Sequence, residues 1–328
     1  MLGPVLRHRG GVFFIGVDLA WGENSPTGVA VLDADGGLKH VGAALHDGEI
    51  IDAVLPFVQG ECLVGIDAPL IVTNATGQRP AERALNADFG GFDAGAHSAN
   101  LGIPVFSSGM RGASIAAALG LDMDPYSKAT SRAIEVYTHP ATIVLFRLGR
   151  TLKYKDRPQR SFGLLQSELL RLIRLIEDLA DADVSMHVAA NPDWARLRRM
   201  VEAATTKAEL RRAEDPVDAL LCAYIARYAT ERRDDITIYG NFQTGYIVTP
   251  TLPADLRPAP RHLVAEPHDA GGAADARLEQ VRRAATGLKA AQAALQQAVA
   301  QVLEHGGSWA VIGDVLRVSE EEAERRFG

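Results

Sequence analysis

"FFIGVDLAWG", Phe13 to Gly22, is an apolar run that ends on a single aspartate, Asp18. Burying an unpaired carboxylate costs several kcal/mol, so a charge in such a run needs a reason. "ECLVGIDAPL", Glu61 to Leu70, repeats the pattern and puts Asp67 in the same place. By length and composition both runs are buried strands.

The links between them set the topology. "GENSPTG" (Gly22 to Gly28) is turn-rich, "VAVLDA" (Val29 to Ala34) is a second strand, "DGG" (Asp35 to Gly37) marks a hairpin turn, and "LKHVGAAL" (Leu38 to Leu45) is a third strand. Neither link can hold a crossover helix, so the three strands form an antiparallel meander. "GEIIDAVLPFVQG" (Gly48 to Gly60) reads as a helix that delivers strand four, Cys62 to Asp67, parallel to strand one. If strand four pairs beside strand one, Asp18 and Asp67 end at the same sheet edge, where open α/β sheets bind ligands. Two carboxylates about 4 Å apart repel by about 4 kcal/mol at an effective dielectric near 20. A shared proton relieves part of that, and a divalent cation relieves more. The alternative is that each aspartate caps the loop after it.

The 328 residues are 47% hydrophobic and 23% charged, which predicts a globular protein with ample core. Cys62 and Cys222 both lie in apolar runs and read as buried thiols, not as a disulfide framework or metal site. The N-terminal residues lack the apolar stretch of a signal peptide, and no run reaches the roughly 20 apolar residues of a membrane span. Both point to a cytoplasmic protein with no membrane partner. A net charge of −7 argues against nonspecific coating of nucleic acid and leaves room for a local basic groove.

Residues 71–132 are too long for a plain connection and read as a functional insertion with short helices near Pro80 to Ala87 and Ala113 to Gly120. Their substrate-binding candidates are Arg79, His97 and Asn100, with Glu82 and Arg83 nearby. "RAIEVYTHPA" (Arg132 to Ala141) reads as a fifth strand that carries Glu135, a further candidate catalytic carboxylate or else the partner of an arginine. "LFRLGRTLKYKDRPQR" (Leu145 to Arg160) sets six Lys and Arg against Asp156 alone. Lys153, Lys155 and Arg157 are its candidate phosphate contacts, a solvated loop being the alternative. An amphipathic helix follows over Ser161 to Ala182. In "EDPVDALLCAYIARYA" (Glu214 to Ala229) Asp215 suits a helix N-cap, Pro216 position N1 and Asp218 position N3. Asp218 falls on the side of Leu221 and Cys222, where it can face the strand ends and join a metal site. "ITIYGN" and "GYIVTP" (Ile236 to Asn241, Gly245 to Pro250) close as a hairpin.

Residues 1–249 are thus one domain, 250–274 a Pro/Gly-rich linker and 275–328 a helical tail. In the tail, "SWAVIGDVL" and "SEEEAERRF" are short helices joined by a tight turn, and Ser319 with Glu322 forms a capping box. Trp309, Ile312, Val315 and Leu316 are its expected small core. From Ala273 to Gly328 there are seven Lys and Arg against eight Asp and Glu, and the second short helix opens on Glu320, Glu321 and Glu322. Acid at that place repels phosphate, so the tail is expected to dock on its own domain or on a partner protein rather than on DNA.

Taken together, "GVDLAW", "GIDAPL", the arginines and glutamate after it, "EVYTHP", "KYKDR" and "DPVDALLCAYIA" resemble an uncharacterised prokaryotic family described as a predicted nuclease of RNase H fold. The resemblance covers about Phe13 to Pro250. It implies an α/β fold with an RNase H-like mixed sheet, a three-strand meander followed by parallel strands, and helices on both faces. The tail resembles bacterial helix-turn-helix segments. By the same resemblance Asp18, Asp67 and either Asp215 or Asp218 hold Mg or Mn, and the first-helix glutamate of many such nucleases has no secure counterpart; Glu135 is the candidate substitute. The implied activity is metal-dependent phosphodiester hydrolysis on nucleic acid or a nucleotide. A non-catalytic binding or regulatory protein, or an ATP-binding phosphotransferase-like protein, are the alternatives.

Overall fold

The computed structural model describes residues 11–20, 25–107, 109–260 and 295–328. Two compact units are present, one spanning Met1–Glu266 and one spanning Pro267–Gly328. Most of the expected linker and the first part of the tail, residues 261–294, lie outside the described residues.

The first unit is a mixed α/β structure. Its five-stranded sheet contains β1 (Phe13–Asp18), β2 (Thr27–Leu32), β3 (Leu38–Ala44), β4 (Cys62–Ile66) and β5 (Ser131–Glu135) in the order β3-β2-β1-β4-β5. The β1–β2 and β2–β3 pairs are antiparallel, and the β1–β4 and β4–β5 pairs are parallel. This is the expected meander followed by parallel strands. β5 stops at Glu135, earlier than expected, because the chain turns into α5 (Thr138–Leu145). The hairpin β6 (Ile236–Asn241) and β7 (Gly245–Pro250) has the expected bounds. It forms a separate two-stranded sheet.

The residues of β1, β2, β4 and β5 alternate between the two faces of the sheet. Ile15, Val17, Val64 and Ile66 face a core shared with α1 (Asp47–Val54) and α4 (Arg111–Ala118). Phe14, Ala30, Leu63 and Ile134 face a second core with α6 (Phe162–Glu177), α7 (Pro192–Ala203) and α8 (Lys207–Glu231). Helices therefore cover both faces. The insertion contributes α2 (Pro80–Phe89), α3 (Pro104–Ser107) and α4. In α1, Glu49 accepts from the Leu45 N–H at 2.7 Å, so this glutamate caps its own helix.

α8 begins nine residues earlier than the sequence suggests, with its first residue at Lys207 rather than Pro216. Thr206 is its N-cap, with a reciprocal capping box to Glu209, and Pro216 lies inside the helix. The Thr-x-x-Glu box satisfies two orphan N–H groups at once, so it outcompetes Asp215 as a start signal. Asp215 is thereby freed from the capping role.

In the second unit, α9 is described over residues 295–304, followed by α10 (Trp309–Leu316) and α11 (Glu320–Phe327). Ser319 Oγ accepts from the Glu322 N–H at 3.2 Å, as the capping box requires. Val299, Ile312 and Ala323 form the core, with Trp309 and Leu316 packed on it. Val315 was expected there and is 78% exposed, because it falls on the outer face of α10.

Candidate active site

Three glycines position the site. A Cβ on Gly16 would lie 1.8 Å from the Ala219 carbonyl oxygen, one on Gly28 1.9 Å from that of Asp215, and one on Gly65 2.5 Å from that of Cys222. Gly16, Gly28 and Gly65 lie on β1, β2 and β4, and the three α8 residues step along one helix face. Glycine in a strand costs about 0.5–1 kcal/mol relative to alanine. Here that cost is offset by direct backbone-to-backbone packing of α8 on the sheet. Asp18 and Asp67 follow Gly16 and Gly65 by two residues, so they share the α8 face at the carboxyl ends of their strands. α8 then carries Asp215 and Asp218 alongside.

Three of the four aspartates converge on one ammonium. Lys155 Nζ lies 3.5 Å from Asp18 Oδ2 and 3.7 Å from Asp215 Oδ1, and it makes its closest contact with Asp218 Oδ2. Tyr154 Oη donates to Asp218 Oδ1 at 2.7 Å. Thr138 Oγ1 donates to Asp67 Oδ2 at 3.1 Å. A cavity of about 240 Å³ opens here, with Asp18, Asp67, Asp218, Lys155, Tyr137 and His139 in its wall. A second cavity of about 510 Å³ is lined by Lys153, Lys155, Arg157 and Arg160, and by His97, Tyr137 and His139. Lys155, His97, Tyr137 and His139 line both.

One positive charge does not neutralise four carboxylates. Burial first, then Asp218, Asp67 and Asp215, hold the Asp18 carboxyl well above the usual range, although Lys155 opposes them. Burial and then Asp218 push Asp67 up to about 7, and burial pushes Asp215 up to about 6. An unfolded aspartate titrates near 3.9. Between about pH 4 and 7 the folded chain therefore binds more protons at Asp67 than the unfolded chain, and stability falls as pH rises through that window. Asp67→Asn removes this contribution and keeps an acceptor for Thr138. Urea unfolding at a series of pH values should show the variant losing about 1–2 kcal/mol less than wild type between pH 4.5 and 7.5. Equal losses would mean that Asp67 titrates as it does in the unfolded chain.

Several expected site residues have other roles. Glu135 is level with Ile66 in the β4–β5 register, one residue out of phase with Asp67. It sits on the other side of the pleat, so it lines the smaller cavity together with Arg79 and Glu82 but its carboxylate is engaged away from the aspartates. It accepts instead from the Leu70 N–H at 2.9 Å and from Arg79 Nη1 and Nη2 at 2.9 and 2.5 Å. Arg79, expected on substrate, is 1% exposed and also holds Glu82 through Nε at 2.8 Å. Asn100 donates to the Gly77 carbonyl at 3.0 Å and braces its own loop. In the basic run, Lys153 Nζ is 3.3 Å from Asp93, and the Lys155 ammonium is held by the aspartates while its side chain lines both cavities. Arg157 Nη2 lies 3.4 Å from His97 Nε2 on the wall of the larger cavity.

His139 is the site residue that the sequence reading passed over. It packs edge-on against Tyr137 and Tyr154, at centroid distances of 5.6 and 5.9 Å. Burial pushes its pKa down to about 4, so it is a neutral imidazole at pH 7. Its signal was present in "EVYTHP", beside the Thr138 that holds Asp67. Glu214, next to Asp215, is in the wall of neither cavity; it is buried, its Oε1 has no hydrogen-bond partner, and burial raises it to about 7.

The donor set has the chemistry of a hard-cation site. Asp18, Asp67, Asp215 and Asp218 offer carboxylate oxygen only, which suits Mg²⁺ or Mn²⁺. Their charge exceeds that of the ammonium among them, so the residues fit such an ion. As they stand, among the described residues, no group of three or more His, Cys, Asp or Glu is drawn together to hold one.

Residues 16–244 match the family described as protein of unknown function, DUF429. The chain belongs to DUF429. No curated protein and no solved structure matches it. The DUF429 segment contains Asp18, Asp67, Lys155, Asp215 and Asp218, and all the residues of both cavities except Ile247. The second unit lies beyond it. Among the described residues no helix is long and apolar enough to cross a membrane.

Proposed function

We propose that this DUF429 chain is a metal-dependent phosphodiesterase or nuclease with an RNase H-like sheet. The strand order β3-β2-β1-β4-β5, antiparallel and then parallel, supports the fold assignment. One observation carries the functional reading. Asp18, Asp67 and Asp218 come from three elements to one cavity, which adjoins a second cavity lined by Lys153, Arg157 and Arg160. Acid beside base in this way suits a phosphodiester: the carboxylates would hold a cation that serves the reacting oxygens, and the basic side chains would neutralise the other phosphate oxygens.

Asp18, Asp67 and Asp218 would hold the ions, with Asp215 at the rim. Two bound Mg²⁺ or Mn²⁺ ions supply an activated water and charge for the leaving oxygen. Tyr154 and Thr138 fix the carboxylates of Asp218 and Asp67 by hydrogen bonds, as outer residues do at metal sites. Lys153 and Arg157 attract the phosphate, and neutral His139 accepts or donates a hydrogen bond without adding charge. The substrate would be nucleic acid or a nucleotide. In the second unit the acidic first turn of α11 supports a protein contact rather than DNA.

A ligand that binds only the folded state at 100 times its Kd stabilises it by about 2.7 kcal/mol. Millimolar Mn²⁺ should therefore raise the melting temperature of wild type by several degrees, and Asp18→Asn should abolish the shift. Manganese-dependent cleavage of bis(p-nitrophenyl) phosphate should vanish in the same variant. A wild-type chain that ignores both Mn²⁺ and Mg²⁺ sinks the metal-dependent reading. One observation favours the second reading, a non-catalytic binding protein: Lys155 already gives the carboxylates a counter-ion. Metal binding without cleavage of any phosphodiester would support that alternative.

A further inference from the structure

Lys155 stands where the carboxylates most need positive charge, and its side chain also lines the basic cavity. The backbone on either side of it is pinned. Its carbonyl accepts from Arg160 Nη1 at 2.8 Å, the Lys153 N–H donates to Glu168 at 3.1 Å, and Tyr154 is tied to Asp218. Behind that segment, Lys207 Nζ reaches the Arg160 carbonyl at 2.5 Å and Asp156 at 3.4 Å. What remains movable is the four-carbon stem, which carries a compact point charge on rotatable bonds.

A cation among these aspartates and the Lys155 ammonium repel each other. That repulsion scales with the charge of the ion, so a divalent cation doubles it. The aspartates gain more from the ion, because two charges replace one among four carboxylates. We infer that Lys155 is the resident counter-ion of the metal-free site, and that a divalent cation displaces its ammonium into the basic cavity, beside Lys153 and Arg157. There the same ammonium becomes a phosphate ligand. The site would then hold charge balance in both states and add a phosphate contact only when metal is present. This inference rests on the metal-dependent reading above.

The test uses the full chain and Mn²⁺ alone. In wild type, acylation by an amine-reactive ester, read by mass spectrometry, should rise at least fivefold at Lys155 on saturation with Mn²⁺. The exposed Lys39 and Lys128 should be unchanged. In calorimetry, Lys155→Met should bind Mn²⁺ at least tenfold more tightly than wild type, because the competing charge is gone. Binding by Lys155→Met alone would show that the ammonium holds the site against the ion, and would overturn the displacement. If Mn²⁺ binds both proteins equally and leaves the reactivity of Lys155 unchanged, the displacement is wrong and the metal site stands. If Mn²⁺ binds neither, both ideas fall. Should Lys155→Met not fold, the wild-type acylation decides.

Discussion

Arg79→Ala should lower stability by about 3–5 kcal/mol, the range found when one partner of a buried ion pair is removed. Arg79 bridges Glu82 and Glu135, which are 1% and 3% exposed, and it also donates to the Ile71 carbonyl at 2.9 Å. Alanine leaves two carboxylates buried without their cation. At roughly 2–4 °C per kcal/mol for a domain of this size, the melting temperature falls by about 10 °C or more. The deficit should depend on pH. Burial already holds the Glu135 carboxyl above its ordinary range against the pull of Arg79, and loss of the arginine raises it further. A raised carboxyl costs stability as pH rises and is neutralised as pH falls, so the loss should be smaller at pH 5 than at pH 8. Denaturant melts of the variant at both values check this. Had Arg79 been a substrate ligand, the same change would weaken binding and leave the melt nearly unmoved.

Gly16→Val should be about as damaging, at about 3 kcal/mol or more, for a different reason. The new Cβ would lie 1.8 Å from the Ala219 oxygen and 2.3 Å from the Ala223 nitrogen. Both atoms are backbone, so no rotamer change relieves the clash, and the cost falls at or above the top of the usual overpacking range. α8 must move away from the sheet and take Asp215 and Asp218 with it. The Mn²⁺ response should therefore be lost together with stability. Gly163→Ala in α6 is the control, because its Cβ meets nothing within 4 Å and alanine favours the helix. It should gain about 0.5–1 kcal/mol and keep its metal response. A Gly16→Val chain as stable as wild type would show that the close packing of α8 is not what places the aspartates.

The strand order was settled by local information. The short apolar runs, the short links after Asp18 and Ala34, and the one helix-length link before Cys62 leave few topologies, and they bring Asp18 and Asp67 to one edge. The β6–β7 hairpin and the capped tail helix at Ser319 were legible for the same reason, since each signal lies within a few residues of the structure it makes. The partner of each charge was decided elsewhere. Glu135 is excluded from the aspartates by its register against β4, a strand about 70 residues earlier, and a shift of one residue reverses the face. Arg79 and Glu135 pair across 56 residues, and nothing local singles out that arginine from its neighbours. Asp215 looked like a cap until the stronger box at Thr206 started the helix upstream. Lys155 read as one cation in a basic loop, and it is the counter-ion of Asp18 and Asp218 only because α8 and β1 bring those carboxylates to it. Periodicity and capping act within a turn or a strand, so the sequence alone determines them. Charge acts through space at a few ångströms, so only the packed chain decides which carboxylate meets which cation.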